Sequence, residues 1–311
     1  NGCKATSAAT TVTVNALPAA PTITAGGPTT FCDGESVVLT SSEATGNVWS
    51  TTETTQAITV TTAGSYTVEY TDGNGCKATS AATTVTVNAL PVAAVNSETI
   101  CAGDPAVTFI ATSATAVGWL WSENGTGTLQ NTSGTIAGNY TVVVTDANGC
   151  ASAPATGVLT VNALPAAPTI TAGGPTTFCD GESVVLTSSE ATGNVWSTTE
   201  TTQAITVTTA GSYTVEYTDG NGCKATSAAT TVTVNALPAA PTITAGGPTT
   251  FCDGESVVLT SSEATGNVWS TTETTQAITV TTAGSYTVEY TDGNGCKATS
   301  AATTVTVNAL P

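Results

Sequence analysis

Apolar and polar residues alternate along this chain with a period of two. In the segment 18–90, Val37 and Leu39, Ile58 and Val60, Tyr66, Val68 and Tyr70, and Val85 and Val87 occupy every second position, with Thr, Ser or Glu between them. That pattern marks strands with one face in a core and one in water. It predicts short strands over 21–24, 36–41, 47–50, 57–61, 65–71 and 83–88, with turns at Asp33-Gly34 and Ala63-Gly64. No stretch places apolar residues at helical spacing. Thr and Val fill the periodic segments, and both are β-branched residues suited to a pleated surface.

The pattern repeats. Pro18–Leu90, Pro165–Leu237 and Pro238–Leu310 are identical, and Pro91–Leu164 is a divergent copy one residue longer. In the divergent copy the strand at Tyr140–Val144 keeps its tyrosine and its alternation. Val107 and Phe109 stand for Val37 and Leu39, and Trp121-Ser122 for Trp49-Ser50. Asn1–Leu17 matches Asn74–Leu90 and reads as the tail of a preceding repeat. The expected organisation is therefore 1–17 as a C-terminal strand of that truncated repeat, then repeats at 18–90, 91–164, 165–237 and 238–311. Self-similarity at this period signals an array built from one small unit. Each unit ends in Asn-Ala-Leu-Pro, which leaves almost no linker. Pro fixes its own φ and restricts its predecessor, so stiff joints and an extended rod are expected, each unit adding on the order of 30–40 Å.

Six or seven short strands per unit give a two-sheet sandwich. A central tryptophan and a Gly-x-Tyr corner fit an immunoglobulin-like one, so the fold class is all-β, a tandem array of Ig-like β-sandwich domains. The expected core pairs are Trp49 and Tyr66, Trp121 and Tyr140, Trp196 and Tyr213, and Trp269 and Tyr286. Trp119 is read as out of phase with Trp121, hence exposed and a candidate for ligand or chain–chain contact.

The segments Phe31-Cys32-Asp33-Gly34-Glu35-Ser36-Val37, Val48-Trp49-Ser50, Gly64-Ser65-Tyr66-Thr67-Val68 and Asp72-Gly73-Asn74-Gly75-Cys76 resemble the tandem Ig-like repeats of very large surface adhesins of gliding, Bacteroidetes-type bacteria. The resemblance runs through every repeat. It implies export, by the type IX route, and a role in adhesion, gliding or a surface filament.

Composition narrows the function. Charged residues make up 8% of the chain and the formal net charge is −18, with four lysines as its cations. Nucleic acid and anionic membranes need clustered cations, so neither is an expected partner. The low charge density also argues against disorder. No apolar run approaches the roughly 18 residues that span a bilayer, so no membrane insertion is expected. The chain has no histidine, which removes Ser-His and Cys-His catalytic pairs. No enzyme activity and no cofactor are expected. No metal site is expected either. The weak calcium candidates are Asp72 and Asn74 in a Gly/Asn turn, and Asp33 with Glu35, without the spaced acids of an EF-hand. Sequons at Asn124, Asn131 and Asn139 are read as accidental.

Nine cysteines at regular places read as disulfides, in an oxidising, extracellular compartment. Two pairings stay open. Pairing within repeats gives Cys32–Cys76, Cys101–Cys150, Cys179–Cys223 and Cys252–Cys296, each closing a loop worth about 4 kcal/mol. In ordinary Ig topology, however, the strand after Cys32 and the strand before Cys76 run the same way, which puts the two at opposite poles, too far apart to bond. Pairing within repeats then requires the 47–50 strand to lead straight into the 57–61 strand, so that the 65–71 strand is reversed. The alternative joins neighbours: Cys32–Cys150, Cys101–Cys223 and Cys179–Cys296.

The expected role is a structural segment of a secreted fibre or adhesin stalk that projects a distal functional end, with neighbouring repeats as its first partners. The alternatives are repeats that themselves bind glycan or protein, or identical chains bundled side by side into a filament.

Overall fold

The computed structural model describes residues 2–310; Asn1 and Pro311, the outer ends of the expected segments 1–17 and 238–311, lie outside the described residues. The described residues form strands, turns and coil, with no helix. Two compact units divide the chain, 1–162 and 163–311.

In the first unit, repeat 18–90 has nine strands: β1 (Ile23–Ala25), β2 (Thr30–Cys32), β3 (Val37–Ser41), β4 (Asn47–Trp49), β5 (Ala57–Val60), β6 (Gly64–Tyr66), β7 (Val68–Thr71), β8 (Lys77–Thr79) and β9 (Thr83–Asn88). One layer is the sheet β1-β3-β5. The other is made of β2-β9-β6 and β4-β7-β8. Only Thr67 separates β6 from β7, so these are two halves of one layer. The alternation seen in the sequence is the burial pattern here: Val37, Leu39, Ile58, Val60, Tyr66, Val68 and Val85 all point inward.

Repeat 91–164 has β10 (Ala94–Val95), β11 (Glu98–Cys101), β12 (Val107–Thr112), β13 (Ala116–Glu123), β14 (Asn131–Gly134), β15 (Gly138–Asp146) and β16 (Ala155–Asn162). Its layers are β10-β12-β14 and an unbroken β11-β16-β15-β13. In the second unit the nine-strand pattern of repeat 18–90 recurs twice, from Ile170–Ala172 to Thr230–Asn235 and from Ile243–Ala245 to Thr303–Asn308. Each repeat has its own hydrophobic core. The chain is thus all-β, a tandem series of Ig-like sandwiches.

Trp49 is the centre of its core, 1% exposed. Its indole N–H donates to the Thr55 carbonyl at 2.9 Å, which satisfies the one polar atom of a buried indole. The Tyr66 hydroxyl donates to the Thr62 carbonyl at 2.8 Å, the tyrosine corner of Ig-like sandwiches, where the chain passes from one layer to the other between β5 and β6. In the divergent repeat Trp121 and Tyr140 do the same, to Leu129 at 2.9 Å and Ile136 at 3.1 Å. Trp196, Tyr213, Trp269 and Tyr286 repeat the arrangement in the second unit.

Strand direction fixes where the cysteines lie. β1 is antiparallel to β3. The chain then crosses to the other layer, where β2 runs parallel to β9, and β9 is antiparallel to β6. Taking β1 and β2 as one strand that changes sheets, β3 and the β6–β7 strand run the same way. Cys32 therefore ends at one pole of the sandwich and Cys76 at the other. No return strand forms between β4 and β5, yet nothing downstream is reversed. β4 is only three residues long, and 50–56 climb back as coil. The Glu53 carbonyl accepts from the Trp49 amide and the Gln56 carbonyl from the Ser41 amide, both at 2.8 Å, which brings Ala57 opposite Thr40. Thr52 turns this corner at φ 79°, in a region costly for a β-branched residue.

Two sequence expectations change. Trp119 is not an outward residue. It packs against the divergent core beside Trp121, because residues two apart on a strand share a face. The tail at 2–17 forms no strand and is exposed, with Val12 and Val14 in solvent, although the same sequence at 83–88 is β9. In a complete repeat β9 is held by β2 and β6. The tail lacks both, and an isolated strand has nothing to bury its alternate face.

Candidate functional site: the junction between repeats

The residues that join one repeat to the next sit on two turns. The first comes after β2. The Cys32 carbonyl accepts from the Glu35 amide at 3.0 Å, the Glu35 carboxylate accepts from the Cys32 amide at 3.0 Å, and the Asp33 amide donates to Asn88 at the end of β9, 2.8 Å. Gly34 takes φ +92° inside this turn, a conformation open to glycine at little cost. The turn ties Cys32 to the last residues of its own repeat. In the divergent repeat Asp104 holds Cys101 in the same way, at 2.8 Å.

The second turn comes after the long strand of the same layer, at the other pole of the sandwich. In Asp146-Ala147-Asn148-Gly149-Cys150 the Asp146 carboxylate accepts from the amides of Asn148, 2.9 Å, and Cys150, 2.8 Å. The hydrogen bond from the Cys150 amide, helped by those from Asn148, holds the Asp146 carboxyl below its usual range, against the opposing effect of its burial. Asp72 and Asp219 build the same turn around Cys76 and Cys223. The aspartate is thus a structural staple for the loop that carries the cysteine.

These two turns meet across the repeat boundary in the first unit. Cys32 is bonded to Cys150, with 5.6 Å between their α-carbons and 118 residues along the chain. In the second unit Cys179 is bonded to Cys296, again at 5.6 Å and 117 residues apart. Both distances fall in the ordinary range for an unstrained bridge. The pairings Cys32–Cys76, Cys101–Cys150, Cys179–Cys223 and Cys252–Cys296 are overturned, since the parallel sense of β3 and β7 keeps each such pair at opposite poles. Cys101 and Cys223 are also disulfide-bonded. Cys3, Cys76 and Cys252 are free thiols.

The calcium candidates do not converge. Asp33 and Glu35 lie on the first turn and Asp72 and Asn74 on the second turn of the same repeat, at opposite poles. The Asp72 and Glu35 carboxylates are engaged with backbone amides. Among the described residues no three acidic, Cys or His side chains gather as metal ligands would.

The sequence passes over three elements that matter here. β2 and β8 are three residues each and lie outside the alternating runs. The third is a buried polar pair: the Ser41 hydroxyl donates to the Asn47 side-chain carbonyl at 2.8 Å, and the Asn47 amide group donates to the Glu43 carbonyl at 2.7 Å. Both side chains are 2% exposed. Asn47 falls two residues before Trp49, on the same inward face, and that parity is the signal that marks it.

No family model matches the chain, and no curated protein matches it. Among solved structures it is similar to the N-terminal four Ig domains of Dscam1 isoform 1.9, at 11% identity over 90% of this chain and 96% of that one, with a TM-score of 0.20. It is also similar to a three-Ig segment of titin, at 14% identity over 70% and 96%, TM-score 0.31, and to fibronectin(III)-like modules of Clostridium thermocellum CbhA, at 16% over 45% and 94%, TM-score 0.27. These likenesses add nothing to the sandwich topology that the strand pairings define.

Proposed function

We propose that this chain is a structural segment of a secreted cell-surface fibre or adhesin stalk, whose repeats set length and carry tension for a functional end elsewhere. The observation that carries this reading is the covalent joining of neighbouring sandwiches by Cys32–Cys150 and Cys179–Cys296. A protein whose repeats acted singly as binding modules gains nothing from being bolted together; a stalk does. Disulfides support an oxidising, extracellular setting. No helix among the described residues is long and apolar enough to cross a membrane. The resemblance to the repeats of gliding bacteria extends the proposal to type IX export and to adhesion or gliding. The stiff Leu-Pro joints extend it to a rod. Small-angle scattering of the oxidised chain is expected to give an elongated particle, and antibody labelling of intact cells of the source is expected to find the repeats outside the cell. A compact particle or an intracellular location refutes the stalk.

One observation favours lateral association as a second reading. The divergent repeat exposes Val117 and Leu120, each more than 60% exposed on β13, where the regular repeat carries Val48, 42% exposed, opposite the Glu69 that pairs with Lys77. Sedimentation that shows multimers lost on Leu120→Lys supports bundling; a monomer at every concentration excludes it.

A further inference from the structure

We infer that the inter-repeat disulfides take the cores of the repeats off the path along which tension travels, so that the oxidised chain is a tether of limited extension even when its sandwiches unfold. This deepens the stalk reading and rests on it for its biological meaning; the covalent path itself does not.

Connectivity alone sets that path. Tension that enters the first unit at Pro18 and leaves at Leu164 has a choice of covalent routes. The backbone is one. The shorter runs from Pro18 to Cys32, crosses the disulfide to Cys150, and continues to Leu164. The 118-residue span between the cysteines becomes a side loop. In the second unit the short route runs from Pro165 to Cys179, across to Cys296, and on to Leu310, which leaves a 117-residue span aside. Each side loop would otherwise contribute about 400 Å of contour at full extension.

The remaining route has little slack. It consists of β1 and β2 on one side of the bond and β16 on the other. A β-strand already rises about 3.3 Å per residue, close to the roughly 3.3–3.6 Å of a fully stretched chain. The route through either unit is about 30 residues, on the order of 100 Å at full stretch, against two folded repeats of about 30–40 Å each. Unfolding both repeats of a unit therefore lengthens it by a few tens of ångströms. An unclamped pair lengthens by hundreds. The maximum extension differs about five-fold between the two states. Tryptophan cores and tyrosine corners then keep the repeats folded and the fibre shaped, but they do not hold its ends together.

The test pulls the full oxidised chain from its two ends in single-molecule force spectroscopy, before and after dithiothreitol. The dithiol gives two electrons and two protons to each cystine, leaving two protein thiols and its own cyclic disulfide. In the oxidised chain no unfolding step near about 250 Å, the contour of one whole repeat, is expected. After reduction such steps should appear, and the total extension should rise several-fold. A double variant, Cys32→Ser with Cys179→Ser, is expected to show long steps without reductant. Reduction of the folded wild-type chain stands as the independent arm if that variant misfolds. Steps of that length in the oxidised wild type, or equal extension with and without reductant, overturn the inference. Neither result bears on whether the chain projects from a cell, which labelling tests separately, so the two readings fail separately.

Discussion

In the regular repeat, two residues before the core tryptophan, stands Asn47, hydrogen-bonded to Ser41. In the divergent repeat the same two places hold Trp119 and Ala111. The equivalence is set by register: Asn47 faces Tyr70 and Trp49 faces Val68, as Trp119 faces Val144 and Trp121 faces Val142. Gln56 likewise donates to the Ser41 carbonyl as Gln130 does to that of Ala111. A buried polar pair has become an apolar one, and the sheets have kept their order. Removing both partners of a buried hydrogen bond together is cheap, whereas removing one strands the other. The exchange leaves a trace: the Trp119 indole N–H and the Ser113 hydroxyl are buried without a hydrogen-bond partner. The outer faces differ too. Glu69 lies between Val48 and Thr79 with Lys77 beside it in the regular repeat, while Leu120 lies opposite Val143 in the divergent one.

The heaviest damage should come from changing what the two versions share. Trp121→Ala should destabilise the divergent repeat by about 3–5 kcal/mol, read as lost amide protection in peptides from 91–164, whose sequence is unique in the chain. Next in size, Asn47→Ala should cost its repeat about 1–3 kcal/mol. Asn47→Leu combined with Ser41→Ala should cost less than the sum of the two single changes. A double-mutant cycle by chemical denaturation reads the coupling, and additive costs would show that the pair is not a unit. Smaller again, Trp119→Phe removes an indole N–H with no partner. It should change stability by less than about 1 kcal/mol, while Trp121→Phe, which gives up the bond to Leu129, should cost more in the same assay.

Acid sets the turn of the divergent repeat apart. Because the folded protein depresses the Asp146 carboxyl below 3.8, its ionised form stabilises the turn at all pH above that value. The contribution is lost as pH falls below 3.8 through the lowered folded value. Asp146→Asn should therefore weaken protection of the Cys150 amide near neutral pH, and the difference from wild type should shrink in strong acid. An undiminished difference in acid would assign the effect to something other than the carboxylate's charge.

Much of the sandwich is legible in the sequence, and the reasons are local. Alternation at Val37, Leu39, Ile58 and Val60 names an inward face whatever the rest of the chain does. Trp49 and Tyr66 are the largest side chains on such faces. β2 escapes because Thr30-Phe31-Cys32 is a strand only by virtue of pairing in parallel with β9, a partner distant in sequence. Trp119 is misread through parity alone, since a step of two returns to the same face. The junction is legible only as a pair of alternatives. Which cysteines meet depends on whether β7 runs with or against β3, and 50–56, a stretch with no pattern of its own, decides that.

The separation of Cys32 and Cys150 by 118 positions also imposes a timetable. A chain that folds from its N-terminus meets two wrong partners for Cys32, Cys76 and Cys101, before the right one. Cys32 can close its bond only after the next sandwich has folded and brought up Cys150, and until then its own sandwich holds it away from Cys76. The junction is thus closed late in folding, onto two sandwiches that are already formed.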